Sequence, residues 1–203
     1  MVMDLYTIAF IVIVILAIAM PIVFFKGHNE NVRRMKIISK RLEDYLKPAN
    51  KEYVLLGTSV GFRALFTVNR DNINKVEAVL ILLPRQSLIY YPISRLTTKH
   101  DKFIVKVEFT KDLGLGRFTF TKSIKRCSSD VKSINYNRRK YYLCGNPRWD
   151  IIKVLSSIRN WKYLYEVSYE KRTLFIEFLT SKDTVVDDII DIINNIKSLF
   201  SIK

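Results

Sequence analysis

Residues 5–25, LYTIAFIVIVILAIAMPIVFF, form an unbroken run of 21 residues without a charge. As an α-helix rising 1.5 Å per residue the run is about 30 Å long, the hydrocarbon thickness of a bilayer. It is therefore expected to span a membrane. A cleaved signal peptide would have a shorter apolar region, a basic segment before it and a small-residue cleavage site after it, and none of these occurs here. The flanks are asymmetric. Only residues 1–4 precede the run, whereas Lys26, Arg33, Arg34, Lys36, Lys40 and Arg41 follow it against Glu30, Glu43 and Asp44. The positive-inside rule places the bulk of the chain in the cytoplasm. Pro21 reads as a kink or fraying point.

Beyond an anchor segment, 1–27, residues 28–203 are enough for one domain with its own core. Lys and Arg total 34 against 19 Asp and Glu, a net charge of +15. That balance suits an anionic partner: nucleic acid, anionic lipid or an acidic protein. Cys127 and Cys144 have no CxxC spacing, and reducing cytoplasm would keep them as thiols, so no disulfide is expected; with the opposite orientation the pair could close.

Lys26-Gly27-His28-Asn29 has the residues of a hinge. After it, Val32, Met35, Ile38, Leu42, Tyr45 and Leu46 recur at helical spacing up to Pro48, which predicts a second helix. Residues 53–56, 62–68 and 76–83 are β-prone runs separated by turn residues. The third is apolar almost throughout and is expected to be central, covered on both faces. Residues 85–96 could form a short helix, with Pro92 against it. Phe103, Val105, Val107 and Phe109 alternate with Ile104, Lys106 and Glu108; Phe118 and Phe120 alternate with Thr119 and Thr121. Both patterns predict strands with one buried face. The connection between them, residues 111–116, lacks the ending of a phosphate loop, and its glycines read as hairpin residues.

Residues 117–148 hold nine Lys and Arg against Asp130 alone, with Tyr136, Tyr141 and Tyr142 among them. Such a mixture fits a docking surface for RNA or an acidic protein face, with Arg117, Lys122, Lys125, Arg126, Arg138, Arg139 and Lys140 as its candidates. Arg33, Arg34, Lys36, Lys40 and Arg41 are the candidates for contact with lipid headgroups. Asn146-Pro147 predicts a helix start, with Ile151, Ile152, Leu155 and Ile158 on one side. Tyr163, Tyr165, Val167 and Tyr169, then Leu174, Ile176 and Phe178, predict a hairpin, and Val186, Ile189, Ile190, Ile193, Ile196 and Phe200 stripe a closing helix. The fold class is thus α+β: one transmembrane helix, then a mostly antiparallel sheet covered by helices.

Catalytic signatures do not emerge. His28 and His100 lie far apart without cysteine or carboxylate at ligand spacing and are expected to face solvent. Asp187, Asp188 and Asp191 fit the start and polar face of a helix better than a carboxylate dyad. The pattern argues against an enzyme and against a bound cofactor or metal.

Several strings resemble the calumin family, the coiled-coil-domain subunits of the PAT complex in the multipass translocon. LILLPRQSL at 80–88 is similar to that family's apolar strand running into an Arg-Gln-Asp-Leu turn, with Ser87 replacing the acidic residue. FIVKV at 103–107 follows where the next strand is expected. KRTLFIEF at 171–178 and the helix after it resemble the last strand and helix, while LEDYL at 42–46 and YVLLG at 53–57 resemble the elements after the span. The family's acidic luminal region and basic coiled coil have no counterpart in these residues. The resemblance implies a cofactor-free scaffold beside the Sec translocon channel, in the endoplasmic reticulum membrane of a eukaryote or the plasma membrane of an archaeon. It would hold a small multi-span membrane protein of the PAT complex and assist multipass membrane protein biogenesis; the family's calcium binding and coiled-coil contacts with the ribosome are not carried over, and the ribosome enters as a polyanion that the basic surface of this chain would suit. A membrane-anchored module binding anionic lipid or RNA independently of the translocon is the alternative, and an enzyme with an unrecognised site the third.

Overall fold

A computed structural model describes residues 4–127, 130–136, 138–147, 155, 158–180 and 182–198. A single α-helix, α1 (Leu5–Leu46), runs through the apolar stretch and on into the domain. The expected hinge at 26–29 is not there, and Pro21 lies inside the uninterrupted helix. The domain's part of α1 buries Gly27, Asn31, Met35, Ile38, Leu42 and Leu46, one stripe of an α-helix. Lys47 ends the helix in the left-handed region, its N–H reaching the Glu43 carbonyl at 2.8 Å. Among the described residues, this is the helix long and apolar enough to cross a membrane, and none of its most apolar section is buried in the domain.

Among the described residues, nine strands form one open sheet: β1 (Asn50–Leu55), β2 (Gly61–Arg70), β3 (Ile73–Ile81), β4 (Lys102–Phe109), β5 (Phe118–Thr121), β6 (Val131–Tyr136), β7 (Arg139–Gly145), β8 (Leu164–Glu170) and β9 (Thr173–Leu179). Their spatial order is β1-β2-β3-β4-β9-β8-β5-β7-β6, and every neighbouring pair is antiparallel. The α+β class, with a long apolar N-terminal helix ahead of an antiparallel sheet, is as the residue pattern predicts. Helices cover one face. A row Phe62, Leu80, Phe103, Phe178, Leu164 crosses that face by register, and α1 and the closing helix, α3 (Val185–Ser198), add their own buried stripes to the same core.

Several expectations change. β3 lies inside the sheet, but burial alternates along it and Ile81 is exposed, so only one face is covered. Its near-continuous apolarity reflects half-buried Val79 on the open face. Residues 111–116 do not close a hairpin: β4 pairs with β3 and β9, whereas β5 pairs with β7 and β8, so the loop passes the ends of two strands. It is pinned by the Tyr169 hydroxyl, which accepts from Leu113 N at 2.8 Å and donates to Asp112 Oδ1 at 2.9 Å. A register shift between Leu164 and Glu166 breaks the tyrosine alternation in β8, leaving Tyr163 and Tyr165 half-buried while Leu164 enters the core. The β8–β9 turn is Lys171-Arg172, both with positive φ, 45° and 70°. A short helix α2 (Tyr90–Thr97) does form, because Pro92 falls in its first turn, where the missing N–H has no helical partner to lose. Of the helix expected after Asn146-Pro147, Leu155 and Ile158 are buried; residues 148–154, 156 and 157 lie outside the described residues, as does Phe200.

Candidate functional site

The junction between span and domain is a buried polar clamp. Gly27 sits where a Cβ would overlap the backbone carbonyl of Arg85, so α1 approaches the loop after β3 as closely as only glycine allows. One turn along, Asn31 Nδ2 donates to the carbonyls of Ser59 (2.7 Å) and Leu83 (2.9 Å). Arg85 donates from Nη1 to Asn31 Oδ1 at 2.9 Å and grips Asp101 with both terminal nitrogens, at 3.0 and 2.8 Å. Asp101 also accepts from Leu83 N at 2.8 Å, and its side chain is only 2% exposed. Arg34 reaches Asp101 at 3.7 Å, Glu30 at 2.7 Å and Asp183 at 3.4 Å. Buried carbonyls, an amide and a carboxylate are thus satisfied together, at the level where the chain leaves the apolar stretch.

This network takes up part of the membrane-proximal basic set. Arg33 pairs with Glu30 and Asp183, Arg34 belongs to the clamp, and Arg41 reaches Asp187 at 3.3 Å, so these three tie α1 to itself and to the start of α3. Lys36 and Lys40 are exposed. Asp188, buried, accepts from Arg159 N at 3.0 Å and Asn160 Nδ2 at 2.7 Å.

The second basic set divides. Lys122 and Arg139 both donate to the Lys162 carbonyl, at 2.7 and 3.0 Å, and with exposed Lys125, Arg138 and Lys140 they gather at one end of β5, β7 and β8. That end is also the clamp's end of the sheet, since β8 begins beside the last residues of β9, which in turn pair with the start of β4 next to Asp101. Burial first, and then Arg139, lower the Lys122 amine to about 8. Arg117 lies at the other end of β5, 3.6 Å from Glu170, away from this cluster. Arg126 is engaged by carboxylates: its Nη1 bridges Glu166 (2.9 Å) and Glu177 (3.1 Å), which face one another across β8 and β9, while Lys102 holds Glu177 at 2.9 Å from the other side. Two buried carboxylates side by side need those cations. Burial chiefly pushes the Glu166 carboxyl up, with Arg126 opposing it. Arg126 therefore neutralises two buried carboxylates from the sheet's open face while its own side chain stays 39% exposed.

Cys127, next to Arg126, is bonded to Cys144 of β7, with a Cα separation of 5.7 Å, normal for a disulfide. The expected free thiols are corrected. The register explains it, because Cys144 lies on the sheet's open face in the row of Thr119 and Ser168, within reach of the turn that follows β5. Neither histidine is solvent-facing as expected: His100 is half-buried against Tyr163, with burial lowering its pKa, and His28 Nδ1 is buried beside Phe24. No group of three or more His, Cys, Asp and Glu among the described residues could hold a metal ion.

Asn31, Arg85 and Asp101 were not singled out by residue pattern. The one available signal was Gly27 within a helical register, which marks close approach as readily as it marks a break. No protein-family model and no curated protein matches this chain, so the likeness to calumin rests on the short strings alone.

Proposed function

We propose that the chain is a non-catalytic, membrane-anchored scaffold that holds a basic docking surface close to the bilayer. The observation that carries this reading is the uninterrupted helix from Leu5 to Leu46, clamped to the sheet at Gly27, Asn31, Arg85 and Asp101. A flexible tether would let the domain sample all orientations, whereas a clamped helix fixes one face toward the membrane. The buried carboxylates Asp101, Asp188, Glu166 and Glu177 are each taken up by protein partners, which supports a structural use for them. Lys36 and Lys40 on α1 beyond the clamp, and Lys122, Lys125, Arg138, Arg139 and Lys140 at the clamp's end of the sheet, are the docking cations. On the likeness to calumin, the partners are the Sec channel and a small multi-span membrane protein; the basic surface suits ribosomal RNA as the polyanion, and the basic flank after the apolar stretch supports a cytoplasmic domain. Capture of the full chain from membranes in mild detergent tests this. Co-recovery of both partners, with salt-sensitive ribosome sedimentation, supports it; their absence, with flotation on anionic liposomes, replaces it with independent lipid binding.

The Cys127–Cys144 bond favours a second reading of topology, in which the domain faces an oxidising compartment. The basic flank after the span opposes it, and intracellular disulfides are common in hyperthermophiles. Labelling of single cysteines placed at Lys40 and Asn72 with a membrane-impermeant maleimide decides the side: labelling in intact cells requires the second reading, and labelling only after lysis requires the first.

A further inference from the structure

The segment between Arg85 and Asp101 leaves the clamp and returns to it, and none of its residues is buried. It nevertheless carries an apolar stripe. Ile89, Tyr90, Ile93 and Leu96 are between 53% and 78% exposed, and Ile89, Ile93 and Leu96 recur at helical spacing on and just before α2. A helix that buries none of its own residues has no core reason for such a stripe. Its position supplies one. Gln86, Ser87, Leu88 and Ile89 line one cleft with Met20 and Phe24 of α1. At 1.5 Å per residue, Phe24 and Met20 lie about 2 and 8 Å inside the end of the apolar stretch at Phe25. A bilayer that covers that stretch must also reach residues 86–89.

The neighbouring surface has the same character. Asn31 binds Ser59 and Leu83, which places the loops after β1 and β3 beside a point about 9 Å beyond Phe25, headgroup depth. Exposed Leu55, Leu56, Val60 and Ile81 cluster at those loops. Arg95 and Lys99, both exposed, flank the stripe with cations suited to lipid phosphate.

We infer that residues 86–97 are a second membrane element: α2 lies in the bilayer interface, its Ile89, Ile93 and Leu96 stripe among the lipid acyl chains beside the span. The occupant is lipid, because the stripe is continuous with the lipid-facing surface of α1 through the Met20 and Phe24 cleft. This rests on Leu5–Phe25 being a span, and the experiment separates the two. The full chain, carrying the photoreactive residue benzoylphenylalanine at Ile93, Leu96, Ile18 or Asn72, is reconstituted into vesicles of phosphatidylcholine and phosphatidylglycerol and irradiated. Intact mass then reports lipid adducts. The expected result is adducts at Ile93 and Leu96 comparable to those at Ile18, and none at Asn72 in the distal β2–β3 turn. Adducts at Ile18 without any at Ile93 and Leu96 would overturn the interfacial helix alone; no adduct at Ile18 would overturn the span and the inference with it. The stripe is not part of the core, so these substitutions leave the fold intact, and an unchanged urea midpoint checks this.

Discussion

Replacing Asp101 with asparagine keeps the shape of the side chain and removes its charge from the middle of the clamp. Asp101 is 2% exposed and Arg85 11%, so water cannot take over the guanidinium that the carboxylate now holds with two bonds. The amide that replaces one carboxylate oxygen also turns a donor toward a donor. Breaking one side of a buried ion pair costs about 3–5 kcal/mol, because the surviving charge stays buried without a partner. Arg34 adds little to the loss, since it keeps Glu30 and Asp183. Set against a total stability of about 5–15 kcal/mol, this is a large fraction. Urea unfolding of the full chain in detergent micelles, followed by the emission of buried Trp161, reads it out. With a slope of about 2–3 kcal/mol per molar urea, the midpoint falls by about 1–2.5 M while the slope is unchanged. The double variant Arg85→Met, Asp101→Leu should cost less than the single one, as no charge is stranded. An Asp101→Asn midpoint within about 0.3 M of the parent, equivalent to less than about 1 kcal/mol, would refute the clamp as a source of stability.

Gly27→Ala should destabilise by about 1–3 kcal/mol in the same assay, although alanine in a helix interior ordinarily gains about 1 kcal/mol over glycine, because the new methyl meets the Arg85 backbone. Reducing Cys127–Cys144 opens a loop with a sequence separation of 17; loss of that closure should lower stability by about 3 kcal/mol, and alkylation before reduction should leave both cysteines unmodified by mass. Lys122 has a folded pKa of about 8 against 10.5 for the free side chain. The unfolded chain therefore binds more protons between those values, and stability rises with pH across that window. Lys122→Met should flatten the slope there, measured as the midpoint difference between variant and parent, so that the opposing ionisation of Tyr141 and Tyr169, both pushed up to about 12 by burial, cancels.

The elements that could be read from residue order are those whose own periodicity decides them. β4 and the β8–β9 hairpin alternate, α3 repeats every three to four positions, and the apolar run at 5–25 is long enough to span a membrane. What escaped depends on pairing between distant segments. Gly27 looks like a hinge among polar neighbours until the Arg85 carbonyl is seen against it, and Asn31 and Asp101, 70 positions apart, gain meaning only when β3 and β4 bring their ends to α1. The basic run was visible as charge, but its division was not: Arg126 is tied to two carboxylates because β8 and β9 set Glu166 opposite Glu177, a juxtaposition created by register. The disulfide escaped for a related reason, since the thiols were read through an assumed compartment while the sheet had already placed them within bonding distance.

Everything proposed for this chain depends on the span and the domain being one rigid body through residues 26–31. Hydrogen exchange of the full chain in bilayer nanodiscs, resolved to peptides covering Phe25 to Arg34, measures that directly. Backbone amides held in a continuous helix and packed on the clamp should exchange as slowly as those of the buried β4 strand. Exchange at Lys26 to Asn29 as fast as in the exposed turn at Asp71-Asn72 would show a hinge, and the domain would then be tethered to the membrane without being held against it.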